Sequence, residues 1–333
     1  MYNVLIFGTG SIGGVYACIL SNASANVTCV CRSNYEEARK NGFAVTSSVF
    51  GRLHARPVIV RSVQEATQSC SDGFHFIVLC TKATKETTSI TLEALEHAVN
   101  SRSKFPTLVI IQNGLGVEES FHIAFPSTVI ISGVAYLPTT QTSPAVFSHS
   151  ETEHLHLGLY PSQCPSVSSQ THLHDFARLV RAGNATVTVH DDIQRERWKK
   201  IVANGALNPV CALTRCRDRE LIDLVDVAGA MIMDVMQEIA SVASSQGYED
   251  VVTQAVVEAQ YARCLARPYP GVEPSMMADA RLSRPMEVYA IVGEMVSIAR
   301  QARIDTPRLK MLYVLITGLN HALQTGREGT SQV

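Results

Sequence analysis

Apolar and polar positions change period along this chain, and each change predicts a different kind of element. The chain opens on an unbroken apolar run of strand length, Val4 to Phe7, then a glycine-rich turn, then an apolar pattern at helical spacing. Strand-length runs recur in "NVTCVCR", "FHFIVLCTK", "TLVIIQNGLG" and "STVIISGVAYL", with helical patterns between them. Continuous apolar strands alternating with helices predict a mostly parallel sheet buried on both faces. From about Pro138 to His190 the pattern loosens into short strand-like pieces, "AVFSHS", "HLHLGLY" and "ATVTVH", around one helix in "HLHDFARLVRAG".

After "HDDIQRERW" the pattern is almost wholly helical. "RELIDLVDVAGAMIMDVMQEIASVASSQG" predicts one long amphipathic helix ended by Gly247. "RPMEVYAIVGEMVSIARQARI" and "TPRLKMLYVLITGLNHAL" predict two more, the second with Thr306 at its N-cap and Pro307 in its first position. Met231, Met233, Met236 and Met295 read as core filler. The expected architecture is α/β: a Rossmann-type dinucleotide-binding domain over residues 1–190, an all-α domain over 191–325 that carries substrate and catalysis, and a polar tail over 326–333.

Composition narrows the function. The 333 residues suit two domains, and 46% hydrophobic against 17% charged residues describes a well-packed globular protein. A formal charge of -2 gives no electrostatic ground for nucleic acid or an anionic membrane as partner, so a small-molecule substrate is expected. "MYNVLIFGTG" has no leader pattern, and no run of about 18 apolar residues suggests a membrane span. Nine cysteines without a CxxC pair read as small buried hydrophobes of a reducing compartment, which predicts a cytoplasmic protein. The apolar C-terminal helices suit a homodimer interface as well as an internal core.

Candidate chemistry begins at the first turn. Between strand and helix, "GTGSIGG" has the mechanical context of a dinucleotide loop: Gly8 for the tight turn, Gly10 for close approach of a pyrophosphate, Gly13 for helix-on-strand packing. The cofactor-binding loop is thus Gly8, Thr9, Gly10, Ser11, Ile12 and Gly13. The second strand pattern ends at Arg32, where NAD-binding chains carry a carboxylate for the ribose. An arginine pairs instead with a 2′-phosphate, which predicts NADPH, and Ser33 beside it can add a hydrogen bond. Lys82 and Asn113 end two later strand patterns, the edge where open α/β sheets bind ligands, although a strand-end lysine or asparagine is also a common turn residue. Glycines around Asn113 in "QNGLG" let backbone come close to a ligand there.

In "WKKIVANGALNPV", helical spacing puts Lys200, Asn204 and Asn208 on one face of an otherwise apolar helix. In "YPGVEPSMMADARLSRPMEVY", Glu287 falls near a helix start, where a carboxylate also simply complements the helix dipole, and Ser275 with Met276 also suits a plain helix cap. His149, His154, His156, His172 and His174 match no closed zinc spacing, Cys164 lies in a Pro/Ser-rich loop, and no metal is assigned.

Taken together, "GTGSIGG", "CTKA", "QNGLG", "WKKIVANGALNP", "PSMMAD" and "RPMEV", in this order, resemble the ketopantoate reductase (2-dehydropantoate 2-reductase) family from Met1 nearly to the end. The resemblance implies a Rossmann domain joined to a helical domain of the 6-phosphogluconate-dehydrogenase-like kind, with the active site in the cleft between them. It implies that Lys200 is the general acid with Glu287 its catalytic partner, that Asn113, Asn204, Asn208 and Ser275 bind substrate, and that Arg32, Lys82, Asn113 and Glu287 serve NADPH. Hydride added to a ketone leaves negative charge on oxygen, which an ammonium both stabilises and protonates. The expected reaction is NADPH-dependent reduction of a 2-keto acid, ketopantoate by default. Where the family often has Asp and Asn after the glutamate, this chain has Tyr289 and Val292, and Val272 stands where a substrate-binding Asn can occur. These departures imply a more apolar pocket and leave open a relative that reduces another ketone or imine, or an NADP-sensing protein without catalysis.

Overall fold

The apolar runs fold as strands. In the computed structural model, which describes residues 1–100, 106–163 and 165–330, the strands are β1 (Asn3–Phe7), β2 (Asn26–Val30), β3 (Phe43–Ser47), β4 (Gly51–Ala55), β5 (Val58–Val60), β6 (Phe76–Leu79), β7 (Thr107–Ile110), β8 (Ile130–Tyr136), β9 (Thr139–Ser143), β10 (Val146–His149), β11 (His154–Tyr160) and β12 (Val187–Val189). One sheet runs β12-β11-β8-β7-β6-β1-β2-β5. Its six strands from β5 to β8 are parallel, with strand order reversing beside β1, the arrangement of dinucleotide-binding folds. β11 joins antiparallel to β8, and β12 parallel to β11. Strands β6 and β7 are buried along their whole length, which is why their sequences read as continuous apolar runs.

Of a second sheet, β4-β3-β10-β9, the sequence reading named only β10, in "AVFSHS", and not the sheet itself. Its strands mix buried and exposed positions and include polar stretches such as "TTQTS", so the alternation signal is weak. The helices of this part are α1 (Ser11–Asn22), α2 (Tyr35–Asn41), α3 (Val63–Ser69), α4 (Lys85–Asn100), α5 (Glu119–Ala124) and α6 (Val167–Ala182). His149, His154 and His156 lie in strands and have protein partners: Ser47 and Thr152 O for His149, Thr188 for His154, His190 for His156. Among the described residues all eight cysteines are free and five are buried; Cys164 lies outside the described residues.

The chain divides into two compact units, residues 1–112 with 117–193, and residues 113–116 with 194–333. The boundary near 190 in the sequence reading becomes Ile193/Gln194, and the "NGLG" segment packs with the second unit rather than with the strands that precede it. Each unit has its own apolar core.

The second unit is helical: α7 (Gln194–Thr214), α8 (Asp218–Leu224), α9 (Ala228–Ser245), α10 (Gln254–Leu265), α11 (Ser275–Arg281), α12 (Glu294–Gln301) and α13 (Pro307–Thr330), with a π-turn over Tyr289–Gly293 leading into α12. The single long helix expected from "RELIDL…SSQG" is two, α8 and α9. Val225, at the break, takes extended backbone (φ −129°, ψ 118°), and β-branched residues resist continued helix. Gly247 ends α9 as expected, with φ +80°. Its N–H bonds Ser244 O at 3.0 Å and that of Tyr248 bonds Ala243 O at 3.1 Å, a Schellman closure. Met236 and Met295 are fully buried, and Met231 and Met233 pack against the same core.

The start of α13 departs from expectation. Thr306 is buried and its hydroxyl has no hydrogen-bond partner among the described residues. Glu238 of α9 caps the helix instead, its two carboxylate oxygens accepting from Arg308 N at 3.1 Å and Leu309 N at 2.9 Å, with Arg308 Nη1 at 3.3 Å. A carboxylate reaching from a packed neighbour satisfies both orphan donors and the helix dipole together. Helix α13 also continues through Gly326 to Thr330, into the stretch expected as a tail; residues 331–333 lie outside the described residues. Among the described residues no helix is long and apolar enough to cross a membrane. Glu238→Ala should leave two buried helix donors unsatisfied and lower unfolding free energy by roughly 1–3 kcal/mol in urea denaturation.

Candidate active site

In the first unit, β1 ends in the glycine turn. Gly8 has φ +97°, and a Cβ there would lie 2.6 Å from Thr81 N, so the turn admits only glycine. A Cβ on Gly13 would meet Gly8 O at 2.1 Å, the close helix-on-strand approach expected of it. A Cβ on Gly10 would meet nothing within 4 Å, so the loop faces open space at that point. Gly10 also N-caps α1 without any side-chain hydrogen bond, which leaves the first-turn N–H groups around Ser11 and Ile12 to an external acceptor. Thr9 is buried and points inward, its hydroxyl 3.1 Å from Cys31 Sγ. These features fit a dinucleotide pyrophosphate.

Arg32 is exposed just beyond β2, next to exposed Ser33, and its guanidinium makes no ion pair or hydrogen bond among the described residues. Asn34, buried, was missed by sequence reasoning. It donates to Thr9 O at 2.7 Å, and its oxygen accepts from Gln141 Nε2 and Ala145 N, so it ties the glycine loop to the loop after β2 and to the second sheet. Lys82 is half-buried just past the end of β6.

The other candidate residues all belong to the second unit. On α7 Lys200 donates to Asn113 Oδ1 at 2.8 Å, although the two are 87 residues apart in the chain. Gly114 brings Asn113 there. It has φ +101°, and a Cβ would lie 2.4 Å from Ala290 O and 2.6 Å from Ala290 C. Leu115 N then donates to Ala290 O at 2.9 Å. That carbonyl is available because of the π-turn: Glu294 N–H, which an unbroken α-helix would direct to Ala290 O, bonds Tyr289 O instead. On its other side Gly114 O accepts from Arg197 Nη1 at 2.9 Å.

Burial pushes the Lys200 ammonium down from 10.5 to about 8; the nearby Arg197 charge lowers it further, and Glu287 and Glu196 oppose the fall. Protonation of Lys200 therefore costs the folded state in full below about pH 8, and the cost is relieved as pH rises from there toward 10.5, where the unfolded chain also loses the proton. Glu287 is buried, immediately before the helical segment with the π-turn.

The three polar residues of the α7 face have different surroundings. Asn204 is half-buried and its amide has no partner among the described residues. Asn208 is buried, and its Oδ1 accepts from Ser275 Oγ at 3.2 Å and Met276 N at 3.0 Å. It therefore caps α11, and Ser275 is tied to it. The loop before α11 is held by buried Asp218, which accepts from Val272 N at 2.8 Å and pairs with Arg267. A Cβ on Gly271 (φ +88°) would meet Asp218 Oδ1 at 2.2 Å. Asp218, Gly271 and Arg197 were also missed; only their contacts reveal them. Of the three departures from the family pattern, Val272 lies in the loop held by Asp218, Val292 is wholly buried in the helical core, and Tyr289 is 37% exposed.

Residues 4–162 match the family model "Ketopantoate reductase PanE/ApbA" and residues 192–320 match "Ketopantoate reductase PanE/ApbA C terminal". The chain is similar to the 2-dehydropantoate 2-reductase of Nostoc sp., at 25% identity over 97% of this chain and 96% of that protein. It is also similar to the uncharacterized protein YDL144C of Saccharomyces cerevisiae, at 26% identity over 95% and 93%. The crystal structure of 2-dehydropantoate 2-reductase from Methylococcus capsulatus superposes with a TM-score of 0.81 at 28% identity, covering 96% of this chain and 97% of that one. Gly114→Ala should force Asn113 off Lys200 and destabilise the second unit by about 1–3 kcal/mol, read as a lower urea midpoint at unchanged slope.

Proposed function

Because the chain belongs to the ketopantoate reductase family, oxidoreductases that act on a CH–OH/C=O pair with a nicotinamide dinucleotide, we propose that it reduces a 2-keto acid to the 2-hydroxy acid with NADPH, ketopantoate being the default substrate. NADPH, when bound, supplies the hydride that adds to the carbonyl carbon. Lys200 supplies the proton: as negative charge grows on the carbonyl oxygen, the ammonium first stabilises it and then transfers a proton to it.

One observation carries this reading. Lys200 is held by Asn113 and is pushed down to about 8, so at neutral pH it is charged yet a much stronger acid than a solvated lysine. Glu287 helps keep it protonated. Asn204, with an unengaged amide, is the first choice for the substrate's carboxylate or hydroxyl, with Asn113, Asn208 and Ser275 completing the polar wall. The glycine loop, Lys82 and Asn113 would hold the dinucleotide, and unpaired Arg32 its 2′-phosphate.

The exposed Tyr289 ring favours a second reading, a 2-keto acid with a larger apolar substituent than ketopantoate. Comparing kcat/KM for ketopantoate with branched and aromatic 2-keto acids decides between them.

Lys200→Met should lower kcat/KM by about 10²- to 10⁴-fold while NADPH binding, followed by its fluorescence, is retained. In the wild type, kcat/KM for reduction should be level below about pH 8 and fall above it, because the donor is lost as pH rises through its pKa. A profile flat to pH 10 would remove Lys200 from the role. Arg32→Ala should abolish the preference for NADPH over NADH with little change in kcat; equal use of both cofactors by the wild type would overturn the assignment of Arg32.

A further inference from the structure

Arg197 belongs to none of the roles above, yet it is 3% exposed, and it stands three residues before Lys200 on the same helix. Like charges at this spacing oppose helix formation, and a buried guanidinium is costly. An apolar side chain would pack this position at lower cost. One contact is informative: Arg197 Nη1 donates to Gly114 O at 2.9 Å, the carbonyl next to the residue that receives the Lys200 ammonium.

We propose that Arg197 is the positioning residue of this site, holding the loop that carries Asn113 in the one arrangement in which the Asn113 oxygen takes a hydrogen bond from Lys200. The proposal rests on Lys200 as the proton donor. A single peptide unit of the Asn113 loop, Gly114–Leu115, is gripped from both sides, its carbonyl by Arg197 and its N–H by Ala290 O. With only the N–H grip, the Gly114–Leu115 peptide can pivot about that one hydrogen bond, Asn113 on its N-terminal side moves with it, and the Lys200 ammonium loses its fixed acceptor. A planar guanidinium suits the task because it stays charged at any working pH and aims its donors rigidly, which a lysine cannot do.

A second consequence follows from charge. The charged groups acting on Lys200 are Arg197 and Glu196 on α7 and Glu287 before α12; Arg197 lowers its proton affinity and the two carboxylates raise it. The same arginine that aims the donor therefore also keeps it acidic.

The test is steady-state kinetics across pH on wild type, Lys200→Met, Arg197→Met and Arg197→Lys, with NADPH affinity and melting temperature measured for each. Arg197→Met should lower kcat about tenfold or more and move the alkaline limb of kcat/KM up by about half a pH unit or more, because a like charge has gone. Arg197→Lys should keep the limb where the wild type has it but still lose kcat, since charge is retained and the fork is not. A merely structural arginine would change melting temperature and leave kcat of the folded Arg197→Lys variant at the wild-type value. Wild-type kcat and an unmoved limb in Arg197→Met overturn the proposal. If that variant does not fold, wild-type kcat in Arg197→Lys overturns it. An active Lys200→Met would instead sink the proton-donor reading, which separates the two failures.

Discussion

A backbone contact sets the geometry on which the candidate active site depends: Gly114 lies directly against the Ala290 peptide, with no room for a side chain between them. That contact requires three unusual features together. The loop residue must be glycine at positive φ, the facing helix must open by one residue so that Ala290 O is free to accept Leu115 N–H, and the carbonyl of that same peptide, Gly114 O, must find a donor, which Arg197 supplies. Each costs something in isolation. Combined, they satisfy one another's hydrogen bonds and deliver Asn113 to Lys200.

Around this point the polar residues divide the work. Lys200 is oriented and made acidic by desolvation and by a neighbouring arginine, against the pull of two carboxylates. Asn208 uses its oxygen to begin α11 and so positions Ser275, while Asp218 anchors the loop that leads there. Asn204 alone on that face keeps its amide unengaged among the described residues. Lys200, Asn113 and Arg197 thus belong to one helical unit, and the glycine loop and Arg32 to the other.

Much of this was legible beforehand because the signals were local. Strand β1, its glycine turn and α1 follow from residues adjacent in sequence, as does the Schellman closure at Gly247. The helical period of "WKKIVANGALNP" was enough to put Lys200, Asn204 and Asn208 on one face. Other features were illegible because their causes are remote. Thr306 has the right chemistry and position for an N-cap, but a carboxylate from α9 takes the donors it would have used. Nothing local to "AIVG" announces a π-turn, whose reason is a loop more than 170 residues earlier in the chain.

By itself the sequence determined which elements form and which chemical groups they carry, since periodicity, glycine turns and residue type act over a few positions. It could show that an ammonium and two amides share a helix face. Only the tertiary structure decided their surroundings: which amide caps a helix, which is left unengaged among the described residues, and how far burial lowers the proton affinity of the lysine. The physical reason is that hydrogen-bond satisfaction and desolvation depend on atoms brought together from distant parts of the chain. The 87 residues between Asn113 and Lys200 are closed by packing to 2.8 Å, a distance that no local pattern encodes.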